Sequence, residues 1–285
     1  MKSLADINTI GIAGAGTMGT FIAWLMSDHG YLVLLSDVNE KQIEKAKSDI
    51  LQFADQAVKK QKLTEEKKIE TLSRIKYSSN PDELKADFII EAIIEKLEPK
   101  QELIRKLSSI NDRDTIFATN TSTIPVTRIA FGIENPERVV GMHFFNPPHI
   151  MKLVEIISGA ATANEVAETT KQLAEKVGKT VVMAKDSPGF IVNRVARHYY
   201  VESLKALEEN VANHEVIDSL MEATGFRMGP FKLMDLIGND TNFSVTKSLH
   251  ESFHYDSKFR PSRIQQQKVE SGQLGRKTGK GFYKY

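Results

Sequence analysis

Cysteine is absent from the 285 residues, so no disulfide framework, thiolate metal site or cysteine nucleophile is available. No run of about 18 apolar residues occurs, which argues against a membrane-spanning helix. The opening stretch MKSLADINTIGIAG has no basic segment followed by a long apolar core, so it does not read as a secretory signal. A dominant charge is missing too. Thirty-eight basic residues face 37 acidic ones, for a net charge of +1, and like charges never run in long blocks; a nucleic-acid footprint is therefore not expected. Internal repeats and low-complexity segments are also lacking. These absences leave a soluble, cytoplasmic protein as the expectation, and the length suggests roughly two domains.

What is present begins with alternation. Residues 7–13, INTIGIA, are β-branched and apolar and read as a buried strand. TMGTFIAWLMSDHG reads as a helix closing at Gly30, and YLVLLSD as a second buried strand. Strand, glycine turn, helix and strand make a βαβ unit, which implies a parallel sheet. Residues 39–75 interrupt the pattern with a charged, glycine-free, helical stretch. Two antiparallel helices are expected there, bending near residues 62–65, where Thr64 is a candidate N-cap ahead of Glu65 and Glu66. A segment that long often carries function, although a solvated hairpin is the plainer reading. Strands are then expected at ADFIIEAI, DTIFATN, VVGMHFF, MKLVEIIS and TVVMAKD, with helices at KLEPKQELIRKLSSI and ANEVAETTKQLAEKVGK. Beyond Pro188 only helical patterns remain, and the domain boundary is placed at residues 186–188.

The turn Gly14-Ala15-Gly16-Thr17-Met18-Gly19 fits G-x-G-x-x-G. Its first glycine permits the tight turn, the second lets backbone approach a pyrophosphate, and the third brings helix and strand together. The helix N-terminus offers free N–H groups and a positive dipole end to phosphates. The pattern alone is weak, but here it follows a strand, opens a helix and is succeeded by Asp37 at the end of the second strand. Asp37 suits the adenosine ribose hydroxyls and repels a 2′-phosphate, which favours NAD over NADP.

Oxidation of an alcohol by hydride transfer also requires removal of the hydroxyl proton, a task for histidine. Of seven histidines, His143 stands at the end of a strand in the nucleotide-binding half, where ligands of open α/β sheets bind. Glu155 lies inside the apolar strand MKLVEIIS, where an unpaired carboxylate is costly. If the two strands form a hairpin through NPPHI, Glu155 meets His143 and orients the imidazole; otherwise it faces solvent on an edge. Ser122, in NTST after a strand, and Asn193, after DSPGF, are candidates to hydrogen-bond the reacting oxygen. Their plainer readings are a turn or cap and an interdomain polar contact.

Together GAGTMG, NTST, HFFNP, KLVEII, DSPGFIVNR, MGPFKLMDLIG and GRKTGKGFYKY resemble the L-3-hydroxyacyl-CoA dehydrogenase family, in the family's order over nearly the whole chain. The resemblance implies an α/β fold. A Rossmann-like NAD-binding domain with a helical-hairpin insertion spans 1–186, and an all-α substrate and dimerisation domain spans 187–285. It implies reversible oxidation of a 3-hydroxyacyl-CoA to a 3-oxoacyl-CoA in fatty acid metabolism, without a metal. His143 becomes the general base or acid and Glu155 its partner, while Ser122 and Asn193 contact substrate oxygens. Cofactor contacts are implied for Glu95, Lys100, Asn146 and Lys277, with Ser122 also near the cofactor. Residues 39–75 resemble the arm over the CoA moiety, and Lys60 is the implied CoA contact, with Lys59 or Lys62 as alternatives. A homodimer is expected, and the chain is short for an added hydratase domain. Phe21 departs from the pattern, standing where the family often has a small residue.

Three other readings compete. His250-Glu251-Ser252-Phe253-His254 satisfies H-E-x-x-H, a zinc-protease signature when both histidines share one helix face. No third ligand is evident, and the glycine turn would go unexplained. A non-enzymatic crystallin-like dinucleotide binder is a second rival, opposed by the His143/Glu155 pair. A hydroxyacid dehydrogenase without CoA specificity is the third, opposed by the lysine-rich arm.

Overall fold

The computed structural model describes residues 1–285 and divides into two compact units, Met1–Ser187 and Pro188–Tyr285. In the first, apolar β-branched runs form strands and the amphipathic stretches between them form helices. In order these are β1 (Thr9–Ala13), α1 (Thr17–Asp28), β2 (Leu32–Ser36), α2 (Glu40–Lys59), α3 (Glu65–Ser73), β3 (Ile75–Ser78) and β4 (Phe88–Glu91). Then follow α4 (Leu97–Ile110), β5 (Ile116–Thr119), α5 (Val126–Ile129), β6 (Val139–Phe144), β7 (Leu153–Ser158), α6 (Asn164–Lys176) and β8 (Thr180–Lys185).

The eight strands make one sheet in the order β3-β2-β1-β4-β5-β6-β7-β8. The first six run parallel, β7 returns antiparallel to β6, and β8 runs parallel to β7. From β1 the chain winds outward to β3 on one side and from β4 onward on the other. The crevice between β1 and β4 is thus the switch point where doubly wound sheets bind ligands. Central strands covered on both faces should be apolar throughout, and β4, β5 and β6 are buried along their whole lengths. Their polar residues are therefore informative. Glu91 and Thr119 are the last residues of β4 and β5, His143 is the last but one of β6, and Glu155 pairs with it from β7.

The 39–75 stretch bends where expected. Thr64 caps α3, its hydroxyl accepting from the Lys67 amide at 3.2 Å. The hairpin is more than a solvated surface, because Ile43, Ala46, Ile50 and Ala54 form a buried stripe of α2 that joins the main core. β3 has no counterpart in the sequence reading. Its four residues alternate, with Lys76 exposed on the sheet edge, and so give no apolar run to notice.

The second unit contains α7 (Val192–Glu208), α8 (His214–Ala223), α9 (Pro230–Ile237), α10 (Asn239–Ser252) and α11 (Arg263–Glu270). Tyr200, Leu204, Phe231, Met234 and Phe282 form its core. Asp235, buried on α9, accepts from the Phe282 and Tyr283 amides at 2.9 Å each and so secures the C-terminal tail. Gly281 is required there, since a Cβ would lie 1.9 Å from the Asp235 carboxylate. The H-E-x-x-H match does not survive folding. α10 ends at Ser252 and His254 has φ 53°, so the two histidines do not share a helix face.

Candidate active site

Between β1 and α1 the chain turns on Gly14, whose φ is +105° and where a Cβ would lie 2.6 Å from the Ala92 carbonyl oxygen. A Cβ at Gly19 would fall 1.8 Å from the Gly14 carbonyl oxygen, so this glycine sets how closely the helix meets the turn. At Gly16 a Cβ would meet nothing within 4 Å. That open space lies at the start of α1, whose first amides, including those of Thr17 and Met18, have no intrahelical acceptor. Asp37 follows β2. One of its carboxylate oxygens accepts from the Ala15 amide and the other from the Asn39 amide, each at 2.9 Å. It thereby braces the glycine turn as well as standing beside it. Gly14, Gly16, Ser36, Asp37, Ile93 and Pro99 line a cleft of about 430 Å³ with largely apolar walls. A tight turn, an open backbone face and a carboxylate at the far side fit the pyrophosphate and adenosine ribose of a dinucleotide.

A network of buried charge stands beside this cleft. Glu91 is 1% exposed. It accepts from the Ile93 amide at 2.8 Å, the Thr119 hydroxyl at 2.6 Å and the Lys100 ammonium at 2.6 Å. Lys100 is equally buried and also lies 3.2 Å from Glu95. Its charge therefore reaches the site through Glu95, although the resemblance implied a direct cofactor contact. One Glu95 oxygen accepts from the Thr121 hydroxyl at 2.7 Å, the Ser122 amide at 2.8 Å and the Ser122 hydroxyl at 3.2 Å. Burial would raise the Glu95 carboxyl, but the Lys100 charge and the bonds from Thr121 and Ser122 outweigh it and hold the carboxyl below its usual range. The result is a rigid NTST turn. Glu91, Thr119 and Thr121 were not singled out from sequence. Glu91 closes the apolar strand FIIE, where an unpaired carboxylate is as costly as it is for Glu155 inside LVEIIS.

The β6–β7 register sets His143 directly opposite Glu155. The imidazole Nδ1 lies 2.8 Å from a Glu155 carboxylate oxygen, and Glu155 is fully buried. The edge-strand alternative for Glu155 is excluded, because β8 covers the other side of β7. The Phe145 ring centre is 4.6 Å from that of His143. Asn120, also missed, ties the strand ends together by accepting from the Phe144 amide at 2.9 Å. Asn146 is exposed on the turn after β6 and precedes a cis proline.

On the arm, Lys60 caps the C-terminus of α2, its amide donating to the Gln56 carbonyl at 3.0 Å. Lys59, Lys60 and Lys62 are exposed and enter no ion pair, whereas Lys68 is held by Asp55 and Glu65 at 2.7 Å each. In the second unit, Asn193 lies on the first turn of α7, and the Lys277 ammonium pairs with Asp240 at 2.7 Å.

Comparison with known proteins matches the two halves separately. Residues 9–187 fit the model of the 3-hydroxyacyl-CoA dehydrogenase NAD-binding domain, and residues 189–285 that of the 3-hydroxyacyl-CoA dehydrogenase C-terminal domain. The 3-hydroxyadipyl-CoA dehydrogenase of Escherichia coli K12 is 45% identical over 98% of this chain, which spans 59% of that protein's length. The 3-hydroxybutyryl-CoA dehydrogenase of Bradyrhizobium diazoefficiens is 40% identical over 99% of this chain and 96% of its own. The crystal structure of (S)-3-hydroxybutyryl-CoA dehydrogenase from Ralstonia eutropha superposes with a TM-score of 0.93 at 38% identity, covering 98% of this chain and 99% of that one. With both halves matched in order and near-full-length relatives well above 30% identity, the chain belongs to the 3-hydroxyacyl-CoA dehydrogenase family.

Proposed function

We propose that this chain interconverts (S)-3-hydroxyacyl-CoA and 3-oxoacyl-CoA with NAD, using His143 as the proton-transferring residue. The carrying observation is the 2.8 Å contact between His143 Nδ1 and Glu155 at the carboxyl end of β6. With Nδ1 occupied by the carboxylate, proton exchange falls to Nε2. In oxidation the substrate hydroxyl proton passes to Nε2 as the C3–H bond breaks, and Glu155 stabilises the imidazolium that forms. Bound NAD supplies the hydride acceptor, and its reduced form the donor for the reverse reaction. Ser122, on the turn held by Glu95, is assigned to the substrate oxygen by the family pattern. Asn193 is assigned to the same substrate oxygen by the family pattern. Lys60, with Lys59 and Lys62 beside it, is assigned to the phosphates of CoA, and its unpaired charge supports that role. Glu95, Asn146 and Lys277 are assigned to the cofactor, and Lys100 to holding Glu95.

We also infer a homodimer working in the cytoplasm. The second unit exposes Val195, Phe226 and Leu236 around an apolar groove of about 790 Å³ that includes Tyr199 and Met228, a surface suited to a second copy. Light scattering after size exclusion tests the dimer, and cell fractionation the location. The enzymatic reading is tested by NADH consumption with acetoacetyl-CoA and longer 3-oxoacyl-CoAs beside the free acids. Turnover restricted to the thioesters is expected. Turnover of the free acids as well favours a broader hydroxyacid dehydrogenase. NADH binding without turnover of any of them favours a crystallin-like protein.

A further inference from the structure

A line of aromatic rings leads from the catalytic strand toward the arm. His149, on the turn between β6 and β7, has its ring centre 4.5 Å from Phe21 on α1 and 4.4 Å from Phe53 on α2. Phe21 and Phe53 are themselves 5.6 Å apart, edge to face. All three side chains are half-buried, so each keeps a face or edge open. The turn that presents His149 is pinned from behind, where the Lys179 ammonium donates to the Pro148 and Met151 carbonyls at 2.6 and 3.0 Å. His149 Nδ1 is buried without a hydrogen-bond partner, so ring contacts hold the imidazole in place. Burial and the nearby Lys179 charge keep its proton affinity below the usual histidine range, which favours the neutral, more apolar ring.

The position of this ledge gives it a use. Phe53 lies on α2 and Lys60 is the C-cap seven residues on, which places them on one side of the helix about two turns, or roughly 10 Å, apart. At the other end, the turn bearing His149 begins with Phe145, whose ring touches His143. In a CoA thioester with its reacting carbon at His143 and its phosphates at Lys60, the part between these two ends, beside the ledge, is the pantetheine chain. Its methylene and gem-dimethyl groups match an apolar aromatic surface.

We propose that the ledge formed by Phe21, Phe53 and His149 is the contact surface for the pantetheine chain of the substrate, and that it sets discrimination between full-length and truncated thioesters. This deepens the acyl-CoA reading and rests on it.

The test uses three thioesters of acetoacetate, with CoA, with pantetheine and with N-acetylcysteamine, which ends at the first amide. Phe53→Ala and His149→Ala are expected to lower kcat/KM for the CoA and pantetheine thioesters by about tenfold, the effect of losing one well-packed contact. Activity on the N-acetylcysteamine thioester should stay at the wild-type level, and His149→Phe, which keeps a ring in the stack, should restore the other two. Retained NADH binding, read by fluorescence, verifies that the variants are folded. Equal losses on all three thioesters overturn the proposal, because the rings then only position the catalytic turn. Unchanged kinetics with the pantetheine thioester overturn it as well. A wild type inactive on all three thioesters refutes the dehydrogenase reading itself, whereas an active wild type with unresponsive variants refutes the ledge alone.

Discussion

Replacing Glu155 by Gln changes one atom at the most consequential contact in the first unit. The glutamine carbonyl can still accept from His143 Nδ1 at the position now 2.8 Å away, so the ring orientation survives, but the counter-charge is lost. For charges about 4 Å apart at an effective dielectric near 20, the lost attraction is about 4 kcal/mol. At about 1.4 kcal/mol per factor of ten in rate, that is up to about a thousandfold. The direction is fixed by the sign: the imidazolium that forms on proton transfer loses its counter-charge, so the barrier rises. Turnover at neutral pH should fall by about 10² to 10³, within the range usual for general acid–base catalysis. NADH affinity should hold, because Glu155 lies on β7, outside the glycine-turn cleft. Steady-state rates at neutral pH, with NADH binding measured alongside, decide the matter. A loss of turnover of less than about tenfold would refute the electrostatic role. Wild-type turnover would remove the dyad from the mechanism.

Asp37→Ala should weaken NAD binding and narrow the preference for NAD over NADP. Titration of both cofactors reads this, and because Asp37 also braces the Ala15 amide, some loss is expected for each. Removing the charges of Lys59, Lys60 and Lys62 together should raise KM for acyl-CoA with little change in kcat, more so at low salt. Wild-type kinetics across ionic strengths would place CoA elsewhere. His149 has a folded-state proton affinity below its ordinary value of 6.5, so stability should decline as pH falls below about 6.5, where the unfolded chain takes up the proton more readily. His149→Phe should flatten that decline in thermal melts from pH 7.5 to about 5; parallel curves would refute the assignment.

How much of this was legible beforehand can be traced residue by residue. Glu155 could be read because a carboxylate inside KLVEII demands a partner, and a hairpin through NPPHI puts His143 opposite. The glycine turn was legible because its context, strand before and helix after, is a short-range pattern. β3 was not, since four alternating residues on a sheet edge carry no distinctive periodicity. The pairing state of the arm lysines was also hidden. Lys68 is held by Asp55 across the bend, and only the hairpin angle decides that Lys59, Lys60 and Lys62 are left without ion pairs. Phe21 read as an isolated departure behind the glycine turn. Its contacts with Phe53 and His149 come from parts of the chain with no local relation to it.

Glu91 and Glu155, both almost fully buried, show why burial alone does not separate a catalytic carboxylate from a structural one. Glu91 ends β4 and Glu155 lies within β7, and each is compensated, since an unpaired buried charge is not tolerated. The difference lies in the partner. Glu91 and Glu95 share the ammonium of Lys100, and a lysine ordinarily keeps its charge through neutral pH, so this arrangement is fixed and suits holding Ser122 in place. Glu155 instead meets an imidazole, the side chain that ordinarily exchanges a proton near neutrality. A proton passed to the ring during the reaction finds its counter-charge already in place. A carboxylate whose partner can change charge is where proton transfer belongs, and on that ground we assign His143 and Glu155, rather than the more extensive Glu91–Lys100–Glu95 network, as the proposed reacting pair.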